Sequence, residues 1–320
     1  MYLLDKLYHP WDSGRTIEVL RSGTAQAVWT LVMPIYNKDK VIRQVINMII
    51  DNAKLPFDIV IIDDSSSDNS VSEIRDFFST YMVDNDIVCN VSLVINSAPI
   101  YETACDNIGF GFAVTEFIIE IQSDMFVDDF GFDFRMIEAL RQHSLASVSG
   151  RLVHSFSLLR RRRGIERVIP YRMFHRLMAN RLNSAGRLGG DFGELLVFDE
   201  LSNRGKIYVG DTVARGPWAI RSSTLEYLGF LDSENFFLGN DDHDFHRRAL
   251  ISLGVKPGYV PINVYSPLDL GSTRIERTGM NKVIYEYLKR QRNGSSEFYD
   301  FISCSKRPNK LEVLEYEVKI

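Results

Sequence analysis

Three sets of carboxylates stand at the ends of apolar runs in this chain of 320 residues. Asp63-Asp64 follow Phe57-Asp58-Ile59-Val60-Ile61-Ile62. Asp124 closes Phe117-Ile118-Ile119-Glu120-Ile121-Gln122-Ser123. Asp241-Asp242 open a segment in which Phe245, Ala249 and Leu253 recur at helical spacing. A buried strand that ends in an acid is how open α/β sheets present ligands to a crevice. Hard divalent cations prefer oxygen ligands and suit a diphosphate, so Asp124 is a candidate ligand for Mg2+ or Mn2+. A carboxylate elsewhere in the site can take the proton of an attacking hydroxyl. Asp242 is the first choice for that base and the adjacent Asp241 the close rival, and one of the two can instead cap the helix and complement its dipole. His243 and His246 stand at i, i+3. His243 is a candidate extra metal ligand, and partial burial or acceptor contact is the competing role for both.

These acids need a scaffold, and the apolar periodicity supplies one. Residues 28–33 read as a buried strand that Pro34 stops. Ile42, Val45, Ile46 and Ile49 mark one helix face. Residues 57–62 form the next strand, followed by the polar turn 63–70 with several possible caps. Val71, Ile74, Phe78 and Tyr81 mark a second helix. A strand at 91–95, a helix at 103–115 and a strand at 117–121 complete the series. Strand and helix alternate with short links, which predicts an α/β fold. Its central sheet is mostly parallel, with helices on both faces and right-handed crossovers.

The second half is less regular. Between Arg160 and Arg187 lie nine arginines and one acid, Glu166, and Gly186, Gly189, Gly190 and Gly193 follow. This reads as a long loop, either solvated or able to clamp a phosphate or an anionic acceptor. His154 falls in a loop with no assigned role. Strands are predicted at 147–149 and 207–209, a turn feeding a strand at 215–221, and helices at 241–253 and 281–290. The expected division is an N-terminal extension without clear period (1–26), a nucleotide-binding half (27–130), an acceptor-binding half (131–270) and a helical tail (271–320).

The composition is that of a globular protein, 45% hydrophobic and 25% charged, with a net charge of −5 that gives no pull toward nucleic acid. Cys89, Cys105 and Cys304 form no CxxC pair. They read as free thiols of a reducing compartment, with a cytoplasmic location expected. The first residues do not have the pattern of a signal peptide. No run approaches the roughly 18 apolar residues of a membrane span.

The ordered motifs also resemble a known family. Thr30-Leu31-Val32-Met33-Pro34-Ile35-Tyr36-Asn37-Lys38 is similar to the opening strand of the family 2 glycosyltransferases. Residues 59–68 resemble that family's second strand and acidic turn. Asp106-Asn107-Ile108-Gly109 resembles its third-helix pattern, although an arginine often stands where Asp106 is. Gln122-Ser123-Asp124 sits where the family has Asp-x-Asp, and residues 241–248 resemble its later acidic segment. The resemblance covers about residues 28–262. It implies a GT-A fold, Rossmann-like, and inverting, metal-dependent transfer from a nucleotide-diphospho-sugar, expected to be a UDP-sugar, to a hydroxyl. The acceptor would be a glycan, a lipid-linked sugar or a protein.

The same resemblance gives Asp64 the imide hydrogen of uracil and Tyr36 the face of the base. Pro34 lets the backbone turn close to that base, and Asn107, Gln122 and Ser123 line the donor. Gln122 departs from the pattern: it can hydrogen-bond but brings no charge. Two other functions compete. A sugar-1-phosphate nucleotidyltransferase would want a glycine-rich basic loop after the first strand, where this chain has Pro34-Ile35-Tyr36-Asn37-Lys38-Asp39-Lys40. A non-catalytic nucleotide- or glycan-binding module would fit the loss of an acid at Gln122, but not the retention of Asp124, Asp241 and Asp242. Gly109-Phe110-Gly111 lacks the third glycine of a dinucleotide fingerprint and falls within a helix.

Overall fold

The computed structural model describes residues 14–81, 86–150, 205–233, 236, 241–266 and 312–317. The arginine-rich segment 160–187, the glycines after it, His154, Cys304 and the expected helix at 281–290 lie outside the described residues. The first half contains β1 (Arg15–Ser22), β2 (Trp29–Ile35), α1 (Ile42–Asn52), β3 (Phe57–Asp63), α2 (Ser70–Tyr81), β4 (Val88–Asn96), α3 (Glu102–Phe112) and β5 (Phe117–Glu120). Then come β6 (Phe126–Val127), α4 (Phe132–Gln142), β7 (Val148–Ser149), β8 (Lys206–Val209), β9 (Trp218–Arg221) and α5 (Ser222–Leu228). The last are α6 (Asp241–Leu253), β10 (Gly258–Tyr259), β11 (Val264–Tyr265) and β12 (Glu312–Glu315).

Ten strands form one sheet in the order β1-β4-β3-β2-β5-β9-β7-β10-β8-β12, and β6 pairs with β11 apart from it. Strands β2, β3, β4, β5, β7, β10 and β12 run one way, and β1, β8 and β9 run against them. The sheet is therefore mixed but mostly parallel, with helices on both faces. Every residue of β2 and β3 is buried, which is why these strands read as unbroken apolar runs. Alternate residues feed two cores. Leu31, Met33, Ile59 and Ile61 meet α1 and α4 through Val45, Ile49, Phe132 and Met136. Val32, Val60 and Ile62 meet α3, α5 and α6 through Ala104, Ile108, Leu225 and Phe245.

Pro34 does not stop its strand. β2 continues to Ile35, and Pro34 lies opposite Ile62. The β2–β5 ladder ends where the Ile121 N–H donates to the Val32 carbonyl at 3.0 Å. Even-numbered residues of β2 bond toward β5, so the missing N–H of Pro34 faces the gap where that neighbour has diverged. β1 lies in the stretch 1–26 where no period is visible. It is an exposed edge whose Ile17 and Val19 face solvent, so the apolar-in, polar-out alternation is lost.

Helices α4 and α5 stand where the sequence predicts no element. The buried face of α4 carries Asp133 and Arg135 among Phe132, Met136 and Leu140, which hides the period. Asp133 accepts the Trp29 indole N–H at 3.1 Å and the Lys54 and Leu55 N–H groups at 3.0 and 2.8 Å. Arg135 pairs with buried Asp129 at 2.7 Å. α5 has only seven residues, too few to display a period.

Close packing of α3 on the sheet fixes where its first turn points. A Cβ on Gly109 would collide with the Val32 side chain and come within 2.8 Å of Ile62 Cδ1. Val32 is β-branched on a buried strand and has little freedom to yield. Gly109→Ala should therefore lower stability by roughly 1–3 kcal/mol, the usual cost of overpacking. Urea denaturation would read this as a lower midpoint at unchanged slope. A midpoint equal to that of the parent would contradict the packing described.

Candidate active site

The turns after β2 and β3 are joined side by side. Asn37 N–H donates to Ser66 Oγ at 2.9 Å, and Ser67 N–H donates to Asn37 Oδ1 at 2.9 Å. Lys38 N–H reaches Ser70 Oγ at 2.6 Å, and Asp39 N–H reaches Asp68 Oδ2 at 3.0 Å. The turn that leads into α2 is closed by Asp63, which accepts Ser66 N–H at 3.1 Å, and by Asp68, which accepts Ser70 N–H at 2.9 Å. Asp64 points elsewhere. Its Oδ1 accepts Ile100 N–H at 2.7 Å and the Asn96 amide at 3.3 Å, and its Oδ2 accepts Tyr101 N–H at 2.9 Å. Burial pushes the Asp64 carboxyl up from its ordinary pKa, against the pull of these bonds.

Among the described residues, three non-glycine residues take left-handed backbone: Asn37 (φ 50°), Ser65 (φ 62°) and Tyr101 (φ 72°). They follow the adjacent strands β2, β3 and β4. Such conformations persist only where surrounding bonds hold them, and they cluster at ligand sites. Ile35 lies opposite Asp63, and Asp64 N–H bonds the Ile35 carbonyl at 2.9 Å. The register therefore sets Tyr36 beside Asp64, with Pro34 two residues behind.

After β5 come Gln122, Ser123 and Asp124. Gln122 Nε2 donates to Glu102 Oε1 at 2.6 Å. Ser123 is buried. Asp124 is only 4% exposed, yet its carboxylate makes no hydrogen bond among the described residues. Asn107 stands apart from this group. Its amide donates to the Leu231 carbonyl at 2.8 Å and accepts the Leu231 N–H at 3.0 Å, clamping the segment after α5 onto α3.

Arg215 occupies the middle of the site, and the motifs do not single it out. Its guanidinium meets Asp106 through Nη1, and Nη2 lies 2.7 Å from Asp241 Oδ2 and 3.4 Å from Glu102 Oε1. Burial works against its charge, but the carboxylates of Asp241, Asp106, Glu120 and Glu102 outweigh this and raise its pKa. One guanidinium does not neutralise them all. Desolvation and the neighbouring acids push Asp106 up to about 7 and Asp241 up to about 6, against the pull of Arg215. Oxygens of Glu102, Asp106 and Glu120 lie within 4.8 Å of one another, a spacing that could hold a metal ion. The Arg215 guanidinium already rests on two of the three. Asp106 is the signal for this cluster in the sequence. An acid on a helix otherwise lined by Ala104, Cys105 and Ile108 requires a buried partner.

The start of α6 brings the last candidates together. Asp241 Oδ2 also accepts Thr103 Oγ1–H at 2.9 Å. Asp242 Oδ1 accepts the His243 N–H at 2.8 Å and lies 2.7 Å from His243 Nδ1. Asp242 Oδ2 takes a longer bond, 3.3 Å, from the Arg215 backbone N–H. His246 is buried between Trp218 and Phe245, with Nε2 2.8 Å from Ser147 Oγ. Cys89 and Cys105 are free and buried.

The family model for glycosyl transferase family 2 matches residues 30–193, just over half of the 320. The chain belongs to glycosyl transferase family 2. No curated protein sequence matches it. Among solved structures, this glycosyltransferase is similar to the mannosyltransferase PcManGT from Pyrobaculum calidifontis, in complex with GDP-Man and Mn2+. The TM-score is 0.51 at 16% identity, over 95% of this chain and 74% of that one. It is also similar to GalNAc-T7 with UDP, GalNAc and Mn2+, with a TM-score of 0.53 at 14% identity, over 87% of this chain and 54% of that one. The glycosyltransferase thus has the GT-A fold. The family match ends before α6, so the grouping of Asp241, Asp242 and His243 rests on the geometry above.

Burial lowers the His246 pKa from 6.5 to about 3. Between those values the unfolded chain takes up a proton that the folded chain refuses, so stability falls as pH drops through that window. The parent should lose stability relative to His246→Gln by up to about 1.4 kcal/mol per pH unit below pH 6. Urea midpoints of both proteins between pH 7 and pH 4.5 measure this, and parallel curves would refute a buried neutral imidazole.

Proposed function

We propose that this glycosyltransferase moves a sugar from a nucleotide-diphospho-sugar, a UDP-sugar, to a hydroxyl acceptor with inversion and with a divalent cation. The observation that carries this reading is Asp124: a nearly buried carboxylate at the end of the β5 run, uncommitted among the described residues. It is joined through the turn of Gln122 to an acid–arginine cluster that reaches the start of α6. The similar structures hold GDP-Man or UDP together with Mn2+ in their own sites.

In this reading Tyr36 and Asp64 hold the base, Pro34 and Ser123 line the donor, and Gln122 bonds on the ribose side of the diphosphate. Asp64 accepts from Ile100, Tyr101, Asn96 and Cys105, so an imide hydrogen would take the place of one of the weaker bonds, that of the Cys105 thiol or the 3.3 Å bond of the Asn96 amide. Asn107 contributes indirectly, by fixing the segment after α5. Asp124 offers the hard oxygen donor that Mn2+ or Mg2+ prefers, with His243 Nε2 as a further ligand. The cation would supply charge neutralisation of the leaving diphosphate. Asp242 Oδ1 orients the His243 ring, the usual part of a carboxylate behind a ligating imidazole. Asp242 Oδ2 is the oxygen that takes the acceptor proton. Asp241 is committed to Arg215 and Thr103 and is not the base.

Release of nucleoside diphosphate from UDP-glucose, UDP-N-acetylglucosamine and GDP-mannose in the presence of Mn2+ tests the reaction. Asp124→Asn should abolish release and weaken Mn2+-dependent binding of UDP, and unchanged turnover would remove Asp124 from the site. Asp242→Asn should keep UDP affinity and lose turnover by roughly 10²–10⁴-fold. Calorimetry should find UDP and TDP bound more tightly than GDP and ADP, and a clear purine preference would refute the role given to Asp64. Binding without any release from any donor would leave a nucleotide-binding module.

A further inference from the structure

Arg215 comes from the loop before β9, and among the described residues its guanidinium pairs with acids of α3 and α6. Its guanidinium holds Asp106 and Glu102 on one side and Asp241 on the other. Its own backbone N–H donates to Asp242. The Glu102 oxygen beside it also accepts Gln122 Nε2. One residue thus touches both adjacent acids of α6 by different means, and is one bond removed from the turn that carries Asp124. The loop is pressed into that place from behind. Gly216 has φ +73°, and a Cβ there would lie 2.5 Å from Met125 Cε and 3.5 Å from Gln122 Cγ. A planar fork with five donors suits three carboxylates in a way that an ammonium does not.

We propose that Arg215 is a positioning residue for the transfer reaction, binding Asp241 through its guanidinium and Asp242 through its backbone so that Asp242 alone serves as base. This rests on the reading of Asp242 as the base. It explains how two adjacent acids at the same helix end acquire different tasks. Asp241 is drawn onto Thr103 and the guanidinium, and Asp242 onto His243 and the Arg215 backbone.

The test uses the full-length protein, Mn2+ and the nucleotide-sugar that gives the fastest diphosphate release. Arg215→Gln should lower kcat 10- to 100-fold while the donor KM changes less than twofold. Arg215→Lys keeps the charge without the fork and should fall between the two. Arg215→Gln combined with Asp242→Asn should be no slower than Asp242→Asn alone, because groups that act as a unit are not additive. A multiplicative loss in the double variant would mean that Arg215 acts independently of the base, and would overturn the proposal. So would a loss confined to donor KM, or a parental kcat in Arg215→Gln. Where Arg215→Gln does not fold, as judged by melting and UDP binding, Arg215→Lys carries the same comparison. Near-normal turnover of Asp242→Asn would defeat the base assignment itself, whereas an inactive Asp242→Asn beside a fully active Arg215→Gln would defeat only the role of Arg215.

Discussion

Arg215 places one positive charge, 3% exposed, among the carboxylates of Glu102, Asp106, Glu120 and Asp241. The site depends on this arrangement more than on any apolar contact. Taking each such ion out of water costs several kcal/mol, and the interior tolerates it only when charges are paired and hydrogen-bonded. The carboxylates belong to α3, the end of β5 and the start of α6, while the guanidinium comes from the loop before β9. No local rule brings these four segments together. The β5–β9 ladder brings the two halves of the sheet side by side, and the shared cation then ties the acids together.

A charge excess remains after that pairing. Asp106 and Asp241 are held above the ordinary carboxylate range because desolvation and like charge outweigh one guanidinium. The departure at Gln122 fits the same balance. A third carboxylate beside Glu102 would add negative charge where Arg215 already serves several acids, whereas an amide donates to Glu102 at 2.6 Å. The neutral residue thus relieves repulsion inside the cluster.

The other side of the cleft is governed by backbone geometry. Three left-handed residues after three adjacent strands are held in place by side chains of neighbouring turns, through Asn37, Ser66, Asp64 and the N–H groups at 100 and 101. Asp64 acts here as a structural acceptor as well as a candidate for the base. Sequence alone treats these as alternatives, whereas the fold commits the carboxylate to the Ile100 and Tyr101 N–H groups, with the Asn96 amide and the Cys105 thiol beside them.

Much of the first half was legible from residue order because the physics there is local. Buried parallel strands must be apolar throughout, and helices on the sheet must show their 3.6-residue stripe. The elements from β2 to β5 therefore appear in the sequence within a few residues of their observed ends, and the acids at strand ends could be named. Legibility failed where tertiary context overrode pattern. β1 lost its alternation by lying at an exposed edge. α4 hid its stripe behind Asp133 and Arg135, whose partners are remote in sequence. Pro34 was misread because only the divergence of β5 makes its missing N–H harmless. Residue types and their order determined the GT-A family and the candidate acids. The pairing of Asp241 with Arg215 and that of Asp242 with His243 were decided only by the fold. They depend on which carboxylate a guanidinium about 110 residues from α3 reaches in space, and an ion pair of that span leaves no periodic trace along the chain.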